Sequence, residues 1–492
     1  MKKTKCLGIF LFPVVFVFIA GCSHAKFGNM GGGGGNTAPM ILTFHDTPPA
    51  GITVTSFEIT VTGAALKPGN VSLLQSPQTI ELTQLQTNSV FLSTTNVPLA
   101  TYTGLTITYA NPKFTFLNDT GVQVTAGGQT CNAGASCVVT MPTISAQTLA
   151  LSGASFPSVI VGASNQTLLE VDVNLNNIIQ PSFALDFSKS GAVTVTQLTG
   201  VASGSAVIGN FNVAGQVSSV TATPTPQFKL ITSTGQTLTI NANAASFQFA
   251  RANCTANNFT CLATGQIVDA NVNIFSNSTL GATEVVFDDA SGTQQVSGAI
   301  VSENTSPPTS FQMIVHNTIP PVASLTPGTP VTVNIGSGAS FVVNNGLFTV
   351  PANLTTGQSL NFASTSDLIV GQEVEVRVKS GTTIANGPPP SFTTDRFALE
   401  QTQIEANASS ISQQTSIFVL SPLPPLFSPT NQLQVFIITA GQSSGTIFQN
   451  LTPLNLGGLT VGQPVTAGGF LFNTTGSPTI VATTVRGEVP GT

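Results

Sequence analysis

Short stretches in which hydrophobic and polar residues alternate dominate the chain, and helical periodicity is nearly absent. Each stretch is rich in β-branched or aromatic residues and is bounded by Gly, Pro, Asn or Ser, which is the pattern of β-strands. The clearest examples are residues 53–61, 102–109, 169–175, 237–240, 374–378 and 433–438. Many such strands at short spacing predict an all-β chain built from sandwiches or barrels.

The first 21 residues depart from this pattern. Three lysines precede an apolar run from Leu7 to Ile19, which is too short to cross about 30 Å of hydrocarbon as a helix. The run ends in Ile-Ala-Gly-Cys at residues 19–22, which resembles the lipobox of bacterial lipoproteins. The resemblance implies cleavage before Cys22, diacylglycerol on its thiol and acylation of the new amino terminus. An ordinary secretory signal with an incidental cysteine is the alternative.

The residues after Cys22 predict a tether and a location. Residues 22–37 contain five consecutive glycines, which cannot hold a fixed conformation, so we expect a flexible linker. A phosphate-binding loop is the alternative, but no strand is predicted before it and no helix after it. In Gram-negative lipoproteins an aspartate after the cysteine usually marks retention at the inner membrane. Ser23 stands there instead, and the resemblance therefore implies the outer membrane.

The composition excludes one class of partner. Only 7% of the residues are charged, so Thr, Ser, Asn, Gln and the backbone must hydrate the surface. Without residues 1–21 the 13 basic residues fall to 10 while the 19 acidic residues remain, and the formal charge becomes −9. With so few cations, counterion release cannot drive nucleic-acid binding. We expect no nucleic-acid partner.

Four cysteines remain once Cys6 leaves with the signal and Cys22 takes the lipid. They form two closely spaced pairs, Cys131/Cys137 and Cys254/Cys261. An exported chain permits disulfides, and each pair would close a short loop. Zinc is the alternative, but neither pair has a neighbouring histidine and both spacings are wider than the usual finger spacing. Disulfides are the prediction.

The first predicted domain covers residues 38–200. Its opening strand leads to Asp46-Thr47-Pro48, and residues 97–102 form a turn into the next strand. These features resemble an uncharacterised domain family near the start of bacterial lipoproteins, which is grouped with carbohydrate-binding-like β-sandwiches. Ala100, where that family prefers glycine, and His45 before the aspartate are departures. The resemblance implies a β-sandwich and no known catalytic residues.

The rest of the chain contains an internal repeat. The pattern Leu-x-x-Gly-Gln-x-Val occurs three times, at residues 262–268, 368–374 and 459–465. It predicts a turn whose glycine adopts a positive φ, followed by a strand that begins at the valine. Related copies are found at 325–331 and 354–360.

This repeat pattern is similar to that of small β-barrel modules of unknown function, OB-like in outline, found in bacterial envelope proteins. We therefore expect an N-terminal β-sandwich followed by about three small β-barrel modules in tandem. The predicted modules cover residues 205–290, 294–402 (elaborated) and 403–488.

Candidate catalytic chemistry is sparse. Gly441-Gln442-Ser443-Ser444-Gly445 matches a nucleophile elbow, but that motif needs a following helix and a downstream histidine. The last histidine is His316, and the residues after Gly445 are strand-like, so a hairpin turn is the preferred interpretation. We expect His45 and His316 to be solitary, with neither a catalytic nor a metal site.

One polar row is a candidate binding face. Glu170, Asp172, Asn174 and Asn176 alternate with apolar residues, which predicts that all four share one sheet face. Oxygen groups in a row suit Ca²⁺ or sugar hydroxyls. A solvated sheet face is the alternative. We expect no cofactor, Ca²⁺ being the one candidate.

These observations favour a lipid-anchored, non-catalytic protein of the cell envelope that serves as a surface binding, adhesion or scaffold module. Its expected partners are the membrane, through Cys22, and envelope polysaccharide or another envelope protein. The barrels would project outward from the sandwich. A glycan-binding accessory protein is the second hypothesis, although the chain has no Trp and only two Tyr to stack on sugars. A hydrolase is the third.

Overall fold

The computed structural model describes most of the chain beyond its first 35 residues. It covers residues 36–47, 53–74, 76–84, 89–118, 120–140, 147–162, 167–198, 207–232, 237–243, 245–248, 256, 258–275, 279–288, 294–319, 322–344, 348–355, 357–427, 431–438, 445–449, 451–474 and 478–487. Four of the predicted features lie outside these ranges: Cys22, the predicted tether up to residue 35, Cys254 and Ser443. Within them, no helix has the length and hydrophobicity needed to cross a bilayer.

The N-terminal region folds as two packed β-sheets, called the sandwich below. Its strands are β1 (Thr37–Thr47), β2 (Thr53–Lys67), β3 (Val71–Ser72), β4 (Gln78–Glu81), β5 (Ser89–Pro98), β6 (Thr101–Tyr102), β7 (Gly104–Leu117), β8 (Val124–Ala126), β9 (Gln129–Cys131), β10 (Ser136–Thr140), β11 (Gln147–Ser152), β12 (Val159–Ile160), β13 (Thr167–Asn174) and β14 (Val193–Leu198). One sheet has the order β14-β13-β1-β5, and the other has β10-β7-β2-β3 with β11 on β7 and β4 on β2.

Alternating residues of both sheets form the sandwich core. Phe57 of β2 stacks on Phe114 of β7 with ring centroids 6.0 Å apart, and both side chains are fully buried. Tyr102 enters the same core, and its hydroxyl donates to the Pro98 carbonyl at 2.9 Å. Burying these rings is the main favourable term for the sandwich.

Three five-strand rings follow the sandwich. Barrel 1 contains β15 (Val207–Thr221), β16 (Gln227–Thr232), β17 (Thr237–Asn241), β18 (Ser246–Gln248), β19 (Ile267–Phe275) and β20 (Leu280–Asp288). Barrel 2 contains β21 (Gln295–Glu303), β22 (Ser310–Ile319), β23 (Pro330–Val343), β24 (Glu373–Val378) and β25 (Ser391–Leu399). Barrel 3 contains β26 (Gln401–Ser412), β27 (Ile417–Leu420), β28 (Leu433–Ile437), β29 (Ile447–Gln449), β30 (Pro464–Phe472) and β31 (Thr479–Gly487).

The three rings share one topology. In barrel 2 the closed order is β21-β22-β23-β25-β24, with β23 and β25 parallel and β24 back on β21. Barrel 1 repeats this order through β15-β16-β17-β20-β19, and barrel 3 through β26-β27-β28-β31-β30. The short strands β18 and β29 are additions that pair with the last strand. This is the strand order of the OB-fold, and the predicted all-β architecture of a sandwich followed by three small barrels is confirmed.

Helical segments are short. Helix α1 (Leu175–Ile178) lies between β13 and β14. The 3₁₀ turns are Leu82–Gln84, Gly153–Ser155, Phe259–Cys261, Thr365–Asp367, Pro425–Phe427 and Leu456–Gly458. One of these turns precedes the repeat motif in every barrel.

The repeat motif forms the predicted turn. Gly265, Gly371 and Gly462 have φ of 92°, 91° and 87°, which confirms the expected left-handed conformation. In each barrel the glycine N–H donates to a residue of the first strand, and the same residue donates back to the carbonyl of the motif glutamine. The bonded residues are Val217, Ile300 and Ala408. The motif therefore pins the start of the fourth strand onto the first.

Candidate functional site

The structure corrects the predicted polar row at its far end. Strand β13 stops at Asn174, whose Oδ1 accepts from the Asn177 N–H at 3.1 Å and caps helix α1. Asn176 is exposed within that helix, so it does not share a sheet face with Glu170, Asp172 and Asn174. The alternation failed as a guide here because an asparagine side chain that satisfies a helix N-terminus competes with strand continuation.

Glu170, at the start of the row, does not lie on a solvated face. Glu170 is 5% exposed, and its Oε1 lies 2.7 Å from Nη1 of Arg486 in β31. On the same side of the sheet, Ile41 pairs with Leu168, and both belong to the hydrophobic core of barrel 1. Barrels 1 and 3 thus cover this side of the sandwich. Strand β5 also pairs with β15 of barrel 1, so the barrels fold back onto the sandwich instead of projecting outward.

His316 of β22 is engaged rather than solitary. Its Nδ1 lies 2.9 Å from Oε1 of Glu373, and its Nε2 lies 2.6 Å from the Thr55 carbonyl of the sandwich. A carbonyl only accepts, so Nε2 carries a proton, and the carboxylate of Glu373 accepts from Nδ1. The ring is therefore an imidazolium that joins barrel 2 to the sandwich.

The surroundings of His316 keep it charged. Burial by itself lowers the pKa of His316, but the charge of Glu373 and its hydrogen bond raise it, helped by Glu81 and the Thr55 carbonyl. The net effect raises the pKa of His316 from 6.5 to about 9. At neutral pH the ring holds both protons and can donate to both partners.

The motif of barrel 2 lies where three domains meet, and we call residues 371–373 with their partners the junction. A Cβ on Gly371 would overlap the ring of Phe427 from barrel 3. The Gln372 side chain is buried and donates to the Leu471 carbonyl of barrel 3 at 2.9 Å. Glu373 binds His316 and through it the sandwich. Gly371 and Gln372 thus contact barrel 3, and Glu373 is linked to the sandwich through His316.

The motif copy at 325–331 also docks a domain. Gly328 has a φ of 81°, and its N–H donates to the Val315 carbonyl as in the other copies. Its carbonyl accepts from Oγ1 of Thr115 in the sandwich at 2.9 Å. The copy at 354–360 instead closes a tight turn, in which the Leu354 N–H donates to Gln358. The copies at 325–331 and 368–374 of barrel 2 therefore both contact other domains.

Glu400, which follows β25, interacts electrostatically with acidic side chains of barrels 1 and 2. Asn344 donates to both carboxyl oxygens of Glu400, at 2.8 and 3.0 Å. Burial, followed by the charges of Glu375, Glu284 and then Asp269, raises the pKa of Glu400 well above its usual range. Within the described ranges, no group of three or more His, Cys, Asp or Glu is arranged to hold a metal ion.

The cysteine predictions have one direct outcome. Cys131 and Cys137 form a disulfide with Cα atoms 5.8 Å apart, which confirms that pair. Cys261 is buried and disulfide-bonded, while its predicted partner Cys254 lies outside the described residues. Cys22 also lies outside them, and its lipidation stays a prediction.

Comparisons with known proteins add little. No protein-family model matches the chain, and no curated protein matches it. One similar solved structure, described as Drosophila Unr CSD456, is 10% identical and aligns over 56% of this chain and 97% of that one, with a TM-score of 0.12. A likeness at that TM-score carries no argument about this chain.

Proposed function

We propose that this chain is a lipid-anchored, non-catalytic protein of the cell envelope that serves as a surface binding, adhesion or scaffold module. The observation that carries the proposal is the Cys131–Cys137 disulfide in a chain whose leader ends in a lipobox. Disulfides persist in exported proteins and are rare in the cytosol. Lipid on Cys22 supplies the anchor, and the outer membrane is the proposed location because Ser23 follows the cysteine.

Metabolic labelling tests the anchor. The full-length chain is produced in a Gram-negative host that is fed an alkyne fatty acid, and the product is analysed by mass spectrometry. We expect loss of residues 1–21 and lipid on Cys22. Cys22→Ser abolishes labelling, whereas Cys6→Ser, a matched cysteine change inside the leader, keeps it. An uncleaved product, or one cleaved without lipid, contradicts the proposal.

Membrane fractionation tests the location separately. The wild-type chain is expected with the outer membrane on a density gradient. Ser23→Asp is expected to move the chain to the inner membrane while leaving lipid labelling unchanged. If the wild type and Ser23→Asp are distributed equally between the membranes, the proposed outer-membrane location is wrong. That result would not bear on the proposed lipid anchor.

A hydrolase role finds little support in the site chemistry. His316 is the histidine nearest in sequence to Ser443, and hydrogen bonds to Glu373 and Thr55 occupy both of its ring nitrogens. A general base needs a free nitrogen beside its nucleophile. We expect Ser443→Ala to leave any esterase activity of the purified chain unchanged, and a loss of activity would revive the hydrolase hypothesis.

Glycan binding is the second candidate, and one observation favours it. In OB-folds the second and third strands form the usual ligand face. In barrel 1 the outward residues Lys229, Ile231 and Thr239 of these strands are exposed. In barrel 3 the equivalent Ile417 and Phe436 pack into the core of barrel 2. Barrel 1 therefore offers the more accessible face.

A glycan array tests this candidate. The mature chain is expected to bind at least one envelope polysaccharide, and Lys229→Ser with Thr239→Val is expected to weaken that binding at least tenfold. Gln312→Ala, an exposed change on β22 of barrel 2, serves as the control and should have no effect. Equal losses for both variants would contradict a site on barrel 1.

A further inference from the structure

The outer face of β22 is covered where a barrel strand would ordinarily meet solvent. Met313 and Val315 point into the core of barrel 2, whereas Ile314 and His316 alternate with them and point outward. Ile314 is nevertheless fully buried, and His316 is 6% exposed. Strand β2 of the sandwich lies against this side, where the Thr55 carbonyl meets His316.

Few polar bonds hold this cover in place. Besides His316, Thr115 donates to the Gly328 carbonyl at 2.9 Å and Lys113 donates to the Pro327 carbonyl at 2.6 Å. Both of these bonds lie on the motif copy at 325–331. Among the described residues, the bond between His316 and Thr55 joins β2 directly to β22.

We propose that the imidazolium of His316 is a proton-dependent latch that keeps the sandwich closed over the outer face of β22. The latch needs both ring protons, because the Thr55 carbonyl and the Glu373 carboxylate each require a donor. A neutral imidazole has one N–H and leaves one of the two without its bond. An unsatisfied buried acceptor is costly, so the contact opens when the proton leaves.

The charged groups around the latch come from four strands. Glu373 of β24 contacts the ring directly, and Glu81 of β4 acts on it from the sandwich. Glu81 is itself held by the Phe57 N–H at 2.7 Å. The nearby cation Lys113 of β7 interacts with Glu58 of β2. The carboxylates closest to the ring thus favour its charged form.

The direction of the pH effect follows from these contacts. The pKa of His316 is raised in the folded chain to about 9. The stabilisation that the charged ring contributes is therefore largest below the unfolded pKa near 6.5, and it is lost as the pH rises through about 9. The ring itself stays charged at pH 7. Acidification from neutral pH does not discharge the ring.

Distance measurements between paired spin labels test the latch in the full-length chain. Labels are placed on the exposed sites Thr103→Cys of the sandwich and Asn334→Cys of barrel 2, with Cys6→Ser and Cys22→Ser so that only the introduced thiols react. We expect one narrow distance distribution at pH 7. A longer component should grow at least tenfold between pH 7 and pH 10, while the far-ultraviolet circular dichroism stays constant.

Variants separate the latch from general instability. His316→Gln should show the longer component already at pH 7, without further pH dependence. Glu373→Gln should move the transition to lower pH, which provides a second measurement if the first variant does not fold. Arg377→Gln breaks a pair with Asp395 on the same barrel that is about a third exposed, and it should keep the wild-type profile.

Three outcomes would overturn the proposal. One is a wild-type distance distribution that stays unchanged to pH 10.5. Another is a Glu373→Gln profile identical to the wild type. The third is a distance change that occurs only together with loss of the circular dichroism signal, which would indicate unfolding instead of opening. None of these outcomes depends on lipid attachment. The latch can therefore be wrong while the proposed function holds, and the reverse is also true.

Discussion

At the scale of single residues, charge is scarce but is concentrated where domains meet. Only 7% of the residues are charged, yet the Glu170–Arg486 pair joins the sandwich to barrel 3, and His316, paired with Glu373 inside barrel 2, binds the Thr55 carbonyl of the sandwich. An unpaired buried charge costs several kcal/mol. An arrangement of the domains that separates Glu170 from Arg486 is therefore penalised.

The two tyrosines give a spectroscopic prediction at this scale. Burial, with the charge of Asp186, raises the pKa of Tyr109 to about 12, and burial raises the pKa of Tyr102. The chain has no Trp, so these two rings account for the ultraviolet signal of phenolate formation. We expect tyrosinate absorbance to develop at higher pH in the folded chain than in the unfolded chain, with Tyr109 ionising near pH 12.

The same chain in urea is the control, and both tyrosines should then ionise near pH 10. A folded chain that develops tyrosinate absorbance with the unfolded midpoint would contradict the burial of both rings in the sandwich. If the folded chain develops half of the tyrosinate absorbance near pH 10, one of the two tyrosine rings is exposed to solvent.

At the scale of elements, the repeat motif shows what the sequence could and could not predict. A glycine followed by a strand needs only local geometry, and the positive φ of Gly265, Gly371 and Gly462 was predictable. The docking of Gly371 on Phe427 was not, because the pattern Leu-x-x-Gly-Gln-x-Val carries no information about what packs against the turn. The polar row failed for the same reason, since Glu170 meets a partner 316 positions away.

Matched glycine substitutions test the motif. Gly371→Ala and Gly462→Ala both force a side chain into a left-handed conformation, which costs roughly 1–2 kcal/mol. Gly462 has open space around it, whereas a Cβ on Gly371 overlaps Phe427. We expect Gly371→Ala to lower the free energy of unfolding by a further ~1–3 kcal/mol, measured by urea denaturation. Equal losses would mean that Phe427 does not pack on this turn.

At the scale of the whole molecule, the barrels return to the sandwich instead of extending from it. Barrel 1 shares a hydrophobic core with the outer side of β1 and β13, barrel 2 contributes His316, and barrel 3 contributes Arg486. The Leu426 N–H of barrel 3 also donates to Oγ1 of Thr53 in the sandwich, at 3.3 Å. The sequence predicted the modules but not this arrangement, because contact residues such as His316 and Arg486 lie outside the repeat motif.

The Glu170–Arg486 pair provides the test of this arrangement. The two side chains are 6% and 11% exposed, so Glu170→Gln leaves a buried guanidinium without its carboxylate. Removing one partner of a buried pair costs about 3–5 kcal/mol. Arg377→Gln, whose pair with Asp395 is about a third exposed, should cost less than ~1 kcal/mol. Urea denaturation measures both variants, and a loss for Glu170→Gln no larger than that for Arg377→Gln would mean that barrel 3 does not close on the sandwich.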